Sequence, residues 1–341
     1  MEEQSVAQEQ AGVRVAEEIL FQPKKKRINR AVLMENLWGW FFVCFLVIGT
    51  TAFIYFAFVL SVWMSFTSYS SSSGTSLWEA LGNIHSDGWY HWYQYMFSPE
   101  YSADGTLLTG TGINQRFWTT LLNSVIYMIG IPIGMAISLF LAVLMSRDIK
   151  GAGVFRVIYY IPTVSSVVSI AVLWNNLFGD SGIIVELFGT RFIGGSTWMQ
   201  KITVVIMTTW KGLGGSVLLL CAGMNGVNAS YHEAAEIDGA NAWQIFWRIT
   251  MPQLWPTIFY CIVTSVIGGM QIFAEPQLLY GNYPSQGANS ASVDVTPFVG
   301  LIYGYYGLGN YALSSALGIV LAIIIFVLTL IQFALDKRRD S

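Results

Sequence analysis

Charged side chains are scarce in this chain, and their scarcity excludes most classes of soluble protein. The 17 Lys and Arg and 20 Asp and Glu residues make up only 11% of the 341 residues, whereas 54% are hydrophobic. Soluble domains usually carry about 25% charged residues. The deficit argues against a globular enzyme and indicates a protein dissolved in a lipid bilayer. The net charge of −3 also gives no electrostatic basis for binding nucleic acid.

Side chains suited to metal, redox or nucleotide chemistry are equally sparse. Cys44, Cys221 and Cys261 lie in apolar stretches without CxxC spacing, which favours small buried apolar residues over a redox or metal site. The three histidines are scattered over predicted loops. A GxxxxGK[ST] phosphate-binding loop is missing, because the glycines near Lys211 have the wrong order and spacing. We therefore expect no catalytic residue, no metal site and no cofactor bound by this chain.

Long apolar runs, in contrast, are abundant. A helix needs about 20 apolar residues to cross about 30 Å of hydrocarbon. Six stretches meet this requirement, at approximately 38–63, 117–145, 154–178, 202–224, 256–277 and 312–335. They predict an all-α fold, a polytopic membrane protein with six transmembrane helices. In the second stretch Gly130 and Gly134 form a GxxxG pattern around Pro132, which predicts close packing against a neighbouring helix.

The distribution of basic residues predicts the orientation. Of the 17 Lys and Arg residues, 13 fall on the side that both termini share, Lys211 lies within a span, and three fall on the opposite side. Because cationic flanks are retained in the cytoplasm, both termini are predicted to be cytoplasmic, with Lys24–Arg27 anchoring the first span. The mixed, acidic N-terminus does not resemble a signal peptide. We expect a cytoplasmic tail at 1–37, a transmembrane domain at 38–336 with its core at 117–336, and a second tail at 337–341.

The outer loop of roughly 64–116 begins with a serine-rich linker and is rich in aromatic residues. Its aromatic side chains are Trp78, Trp89, Trp92 and Tyr93. They either form a docking surface for an extracellular partner or lie at the level of the lipid headgroups.

The stretch between the fourth and fifth spans is too polar to cross a membrane and too patterned for a plain linker. Ser230 and Glu233 form a capping-box pattern that predicts a helix start, and Gly239 is expected to end that helix. A second short helix would carry three aromatic residues on one face along the membrane surface, and Pro252 would stop it. These aromatic residues are Trp243, Phe246 and Trp247. The pair of helices either docks in a groove of another protein or simply connects two spans.

This stretch resembles a known family. Glu233-Ala234-Ala235, three residues, Gly239, nine residues, Ile249 and then Pro252 are similar to the EAA loop of permease subunits in binding-protein-dependent ABC importers. The family usually has Leu before the proline, where this chain has Met251. Further motifs resemble the carbohydrate-uptake branch, with its maltose-type and glycerol-phosphate-type permeases, so that the resemblance covers roughly 38–336. These motifs are Phe155-Arg156, Pro162, Trp174, Trp210-Lys211 and residues 316–332.

The resemblance implies an ABC importer type I permease fold in a bacterial cell membrane, with the EAA loop at 228–254. The chain would import a sugar or oligosaccharide together with a second, different permease subunit, two ATPase subunits and an extracellular solute-binding protein. ATP and Mg would be bound by the ATPase subunits. The coupling contacts would come from Glu233, Ala234, Ala235, Asp238, Gly239, Ala240 and Pro252.

Lys211 lies ten residues into the fourth predicted span, about 15 Å deep, where an ionisable side chain indicates a functional site. It either lines the transport pathway or forms a structural pair, for instance with Glu275 on the next span. Aromatic and amide side chains suit the apolar faces and hydroxyl edges of sugars. The candidate pathway residues are Asn123, Tyr127, Trp174, Asn175, Trp210, Lys211 and Gln271.

An ion-gradient-driven secondary carrier is the alternative function. Such a carrier needs carboxylates near the middle of the membrane. The predicted spans offer essentially one, Glu275, near an outer end. The EAA pattern therefore favours the importer.

Overall fold

A computed structural model describes residues 30–70, 77–82, 84, 86, 88–99, 112–146, 152–281 and 294–338 of the chain. In these residues the regular structure is helical, apart from one isolated antiparallel bridge between Thr67 and Ile84. The described residues form two compact units, which divide between Val59 and Leu60. The all-α fold class is therefore confirmed.

The first unit contains helix α1 (Arg30–Thr50), a π-helical turn (Thr51–Tyr55) and the start of α2 (Phe56–Met64). Aromatic side chains on α1 pack edge to face, with ring centroids 5.6 Å apart for Phe41 and Phe45. The predicted basic anchor, Lys24–Arg27, lies outside the described residues.

The second unit contains the remaining helices. They are α3 (Leu77–Gly82), α4 (His91–Phe97), α5 (Ile113–Tyr127), α6 (Gly130–Met145), α7 (Ala152–Val164), α8 (Val167–Phe178), α9 (Ile183–Phe188), α10 (Thr197–Asn225), α11 (Ala229–Ile237), α12 (Ala242–Ile245), a π-helical turn (Phe246–Thr250), α13 (Met251–Met270), α14 (Ala274–Tyr280), α15 (Phe298–Gly307) and α16 (Tyr311–Lys337).

Six stretches in the described part of the chain are helical, long and apolar enough to cross a membrane, as predicted. They are Leu37–Met64, Ile113–Met145, Val167–Phe188, Thr197–Asn225, Ala242–Met270 and Tyr311–Lys337. The predicted bounds of the third and fifth spans, however, are wrong.

The third predicted span, 154–178, is two helices rather than one. The chain breaks between α7 and α8, where Ser166 has an extended ψ of 134° and its hydroxyl caps α8 by accepting from the Val168 backbone N–H. Ser165 donates its hydroxyl to the Ile161 carbonyl, 2.7 Å away. Serine hydroxyls that bond the local backbone compete with helix continuation, which explains the break.

The fifth predicted span, 256–277, also ends early. Helix α13 stops at Met270, directly after Gly268 and Gly269, and Gln271 leaves the helical conformation. Glu275 therefore lies on the separate short helix α14 rather than on the fifth span. Paired glycines favour such an exit because they add conformational freedom and no stabilising side-chain contact.

Glycines mark the places where helices pack against α10, the longest described helix with 29 residues. A Cβ atom on Gly130 of α6 would collide with the Thr209 hydroxyl of α10, and one on Gly214 of α10 would lie 2.7 Å from the Tyr159 carbonyl of α7. A Cβ atom on Gly223 of α10 would lie 3.0 Å from the side chains of Leu254 and Thr257 on α13. Small residues let backbones approach in lipid, where apolar burial alone gives little drive for association. The predicted packing of the Gly130–Gly134 pattern is confirmed.

Two of the outer-loop aromatics are anchored to nearby backbone and side chains. The Trp92 indole N–H donates to the Thr67 carbonyl at 2.7 Å, and the Tyr93 and Ser65 hydroxyls lie 2.8 Å apart. The Trp89 ring packs against Phe66 with centroids 6.0 Å apart. The linker residues 71–76 lie outside the described residues, and both interpretations of this loop stay predictions.

Candidate functional site

The stretch between α10 and α13, residues 228–250, forms two short helices and is called the two-helix loop below. The N-cap of its first helix, α11, lies two residues earlier than the capping-box pattern predicts. Asn228 is the N-cap residue, and its side-chain oxygen accepts from the Ser230 backbone N–H at 3.1 Å. The predicted Ser230–Glu233 capping box is therefore wrong. Asn and Ser cap equally well, so the pattern alone could not rank them.

The end of α11 is as predicted. Gly239 has a left-handed φ of +78°, its N–H donates to the Glu236 carbonyl, and the Ala240 N–H donates to the Ala235 carbonyl. This pair of hydrogen bonds is a Schellman motif, which satisfies the last helix carbonyls and turns the chain sharply. Glycine is favoured at the left-handed position because it has no Cβ.

The second helix starts with a true capping box. The Asn241 side chain accepts from the Gln244 N–H at 2.9 Å, and the Gln244 side chain accepts from the Asn241 N–H at 2.8 Å. The predicted aromatic face is present, since the ring centroids of Trp243 and Trp247 lie 5.6 Å apart and those of Phe246 and Trp247 lie 5.3 Å apart.

Pro252 does not stop this helix, and that prediction is wrong. The backbone passes through the π-helical turn Phe246–Thr250 and continues into α13, where Pro252 occupies the first turn. Proline is tolerated there because the π-helical turn before it, in which the Met251 N–H donates to the Phe246 carbonyl, adjusts the backbone around the missing N–H. The two-helix loop is therefore continuous with the fifth span.

Most of the predicted coupling residues are exposed on α11 and the turn that follows it. Glu233, Ala234, Asp238 and Gly239 are exposed, and Ala235 is buried against the protein. Ala240 is half-buried, and Pro252 is exposed at the start of α13. Their role in coupling stays a prediction.

Sequence reasoning missed Ile237, whose side chain is 86% exposed at the end of α11. It lies two positions after buried Ala235, and side chains two apart on a helix point in different directions. That spacing was the one sequence signal that Ile237 would be exposed. Tyr231 is also more than half exposed, so the tip of α11 presents apolar surface beside its carboxylates.

Three of the pathway candidates pack in one apolar cluster: Tyr127, Trp174 and Trp210. Asn123 and Tyr127 on α5 are buried and hold the segment that leads into α15: the Asn123 amide donates to the Thr296 carbonyl at 2.9 Å, and the Tyr127 hydroxyl donates to the Val295 carbonyl. Both residues therefore have a structural role, because each hydrogen bond joins residues at least 168 positions apart in the chain.

The remaining aromatic and amide candidates are a contacting pair of tryptophans and two exposed amides. Trp174 is buried, stacks on Phe178 at 4.5 Å and approaches Trp210 at 6.1 Å. Asn175 and Gln271 are exposed, on α8 and after α13 respectively.

Lys211 is paired. Its Nζ lies 2.6 Å from Oε1 of Glu275, and both side chains are mostly buried, with 27% and 13% exposed. The structure thus supports the structural-pair interpretation of Lys211. Helix α14 is held on α10 at its other end too, because the Tyr280 hydroxyl donates to the Gln200 carbonyl at 3.0 Å. Burial raises the pKa of the Tyr280 phenol, so it stays a neutral donor.

A cavity of about 190 Å³ lies between α6, α10 and α13. Tyr127 is the one pathway candidate that lines it. The other polar side chains on its wall carry hydroxyls, and no charged residue is among the described residues that line it. These hydroxyl residues are Ser138, Thr208, Thr209, Ser216 and Ser265. Within the described part of the chain the buried Ser138 hydroxyl has no hydrogen-bond partner.

The sequence signal for this cavity was weak, because serine and threonine are frequent in membrane helices and usually bond their own backbone. Thr208 does so here, donating to the Val204 carbonyl at 2.9 Å. Only the three-dimensional packing shows that three helices turn hydroxyls toward one space.

Six membrane-length helices, with a two-helix loop continuous with the fifth, define an all-α polytopic membrane protein. The model of one family, "Binding-protein-dependent transport system inner membrane component", matches residues 130–341. The chain belongs to this family of multi-pass transport permeases. The ion-gradient carrier alternative is not supported.

Curated relatives agree with this membership. The chain is 28% identical over 320 residues to the probable ABC transporter permease protein YesP of Bacillus subtilis, covering 89% of this chain and 92% of the relative. It is 28% identical to the lactose transport system permease protein LacF of Rhizobium radiobacter, covering 70% and 85%. It is 26% identical to the trehalose/maltose transport system permease protein MalF of Thermococcus litoralis, covering 66% and 77%.

A solved structure shares the fold. It is a chain of a bacterial ABC transporter involved in the import of the acidic polysaccharide alginate, matched with a TM-score of 0.69. The match covers 92% of this chain and 98% of that chain, at 19% identity.

Proposed function

We propose that this chain is one permease subunit of an ATP-driven importer for a neutral sugar or oligosaccharide. The observation that carries the substrate class is the cavity between α6, α10 and α13, whose polar side chains are hydroxyls without a charge. Hydroxyls both donate and accept hydrogen bonds, as sugar hydroxyls do. Relatives whose names specify lactose or trehalose and maltose transport support the same class.

The energy enters from partner subunits in this proposal. Two ATPase subunits bind ATP and Mg, and one of them receives α11 in a surface groove. The exposed carboxylate of Glu233 pairs with a basic group there, and exposed Ile237 and Tyr231 supply apolar contacts. A second, different permease subunit completes the pathway, and an extracellular binding protein delivers the solute.

The two-helix loop faces the cytoplasm, together with both termini. The excess of Lys and Arg on that side supports this orientation. The aromatic face of Trp243 and Trp247 then lies at the inner membrane surface, where indole rings are favoured.

Affinity purification of the tagged chain in mild detergent tests the assembly. We expect mass spectrometry to find an ATPase subunit and a second permease with the wild type. In a Glu233→Ala, Gly239→Pro variant, recovery of the ATPase subunit should fall at least tenfold, since both the docking carboxylate and the turn are lost. Glu186→Ala is the control, because it removes an exposed carboxylate from α9.

Uptake of radiolabelled lactose, maltose and an acidic uronate disaccharide by proteoliposomes of the complex tests the substrate class. Import of a neutral sugar that depends on ATP is expected. Preference for the uronate, or transport in an ion gradient without any ATPase subunit, contradicts the proposal.

A further inference from the structure

The first helix of the two-helix loop has little contact with the rest of the protein. Helix α11 has nine residues, and Ala235 is its one buried residue. Among the described residues, one side-chain hydrogen bond joins α11 to the far end of the loop: His232 Nε2 lies 3.2 Å from Thr250 Oγ1. A helix with so few contacts is free to tilt unless this hydrogen bond restrains it.

The backbone between these two residues has a defined corner. The Schellman motif at Gly239 and the capping box between Asn241 and Gln244 fix the path from α11 into α12. The His232–Thr250 hydrogen bond spans this corner and joins α11 to the end of the π-helical turn that follows.

Thr250 is placed where a movement would be transmitted. It is the buried last residue of the π-helical turn and precedes α13 directly. One turn later the Trp255 indole N–H donates to Oδ1 of Asp336 at 2.6 Å, which joins α13 to the end of α16. Two side-chain hydrogen bonds therefore connect α11 with the start of α13, and α13 with the end of α16.

We propose that His232 is a positioning residue for energy coupling: its hydrogen bond to Thr250 makes α11 and α13 move as one body. This inference rests on the proposed function, because it assumes that ATPase subunits move α11. The hydroxyl of Thr250 both donates and accepts, so the hydrogen bond forms with either neutral tautomer of His232 and with the protonated ring. Without it, part of the displacement of α11 is absorbed at the corner.

The test measures whether ATP moves α13 in the assembled complex. A cysteine is introduced at the cavity wall by Ser265→Cys, with the native cysteines replaced, and its labelling by a membrane-impermeant maleimide is timed with and without ATP and vanadate. The ATP-dependent change in rate is normalised to the ATPase subunit retained. This readout needs no solute, and a purely structural role of His232 would leave it unchanged.

We expect His232→Ala and Thr250→Val each to reduce the ATP-dependent change about three- to tenfold, the range for one lost hydrogen bond. The double variant should lose no more than either single variant. His232→Gln should recover most of the response, because its amide reaches the position of Nε2. Thr264→Val is the matched control, since Thr264 is exposed on α13 and bonds only its own helix, at the Tyr260 and Cys261 carbonyls.

Two outcomes separate the inference from the proposed function. A full ATP response in His232→Ala, or additive losses in the double variant, overturns the inference. A wild-type complex that retains no ATPase subunit, or shows no ATP response at all, overturns the proposed function instead.

Discussion

The two-helix loop and the region around α14 and α15 are held together in opposite ways. In the loop, the capping and turn hydrogen bonds join residues close in sequence, such as the Asn241–Gln244 pair three residues apart. Around α14 and α15, the ties are distant: Lys211 and Glu275 are 64 residues apart, and Asn123 and Thr296 are 173 apart. Local contacts form with the element itself, whereas distant contacts form only when the helices pack. The two regions should therefore respond differently to substitution.

The largest effect is expected from the distant ion pair. Lys211→Met leaves the Glu275 carboxylate mostly buried without its cation, which should lower the free energy of unfolding in detergent by about 3 kcal/mol. Unfolding followed by tryptophan fluorescence measures it. Glu275→Gln should cost less, because the Lys211 ammonium that it leaves unpaired is more exposed than the carboxylate, and the amide oxygen can still accept from it.

The double variant Lys211→Met, Glu275→Gln is the decisive control. Since it removes both charges, it should recover most of the stability that Lys211→Met loses. Additive losses would mean that the 2.6 Å pair contributes little and that each side chain acts through other contacts.

The same contrast explains which features were predictable from sequence. Gly239 was interpreted correctly as the end of α11, because a left-handed glycine after a helix is a local signal. The six spans were also predictable, since bilayer thickness sets their length and apolar composition. These features depend on residues close together in the chain and on apolar composition, both of which can be read directly from the sequence.

Errors of the sequence analysis fall into two kinds. Local errors arose where two signals compete. Asn228 rather than Ser230 is the N-cap of α11, and Pro252 lies in the first turn of α13 instead of ending the helix before it. Ser165 and Ser166 break a span that was predicted to be continuous. The distant omission was the cavity between α6, α10 and α13, because no pattern along the chain shows that Ser138 and Ser265 line the same space.

An intermediate effect is expected at the corner of the loop. Gly239→Ala places a Cβ at φ +78°, which should cost about 1–2 kcal/mol locally. ATP-dependent transport should fall while the unfolding midpoint of the helix bundle stays within error, because the strain is confined to the loop. Gly318→Ala in α16 is the control, since no atom lies within 4 Å of the added Cβ. A bundle that melts as early as the Lys211→Met variant would show that the loop is not energetically separate.

The smallest effect distinguishes two candidate caps of α11. Asn228→Ala removes the side-chain oxygen that accepts from the Ser230 N–H, so it should destabilise α11 by about 1 kcal/mol. Backbone amides of α11 should then exchange hydrogen about fivefold faster, as mass spectrometry can measure. Ser230→Ala is the matched control and should leave exchange unchanged, because in the structure Ser230 lies within the first turn and its hydroxyl caps nothing. The reverse result would restore the capping box that the sequence suggested, and it would show that even this local contact depends on the surroundings that α11 meets in the assembled complex.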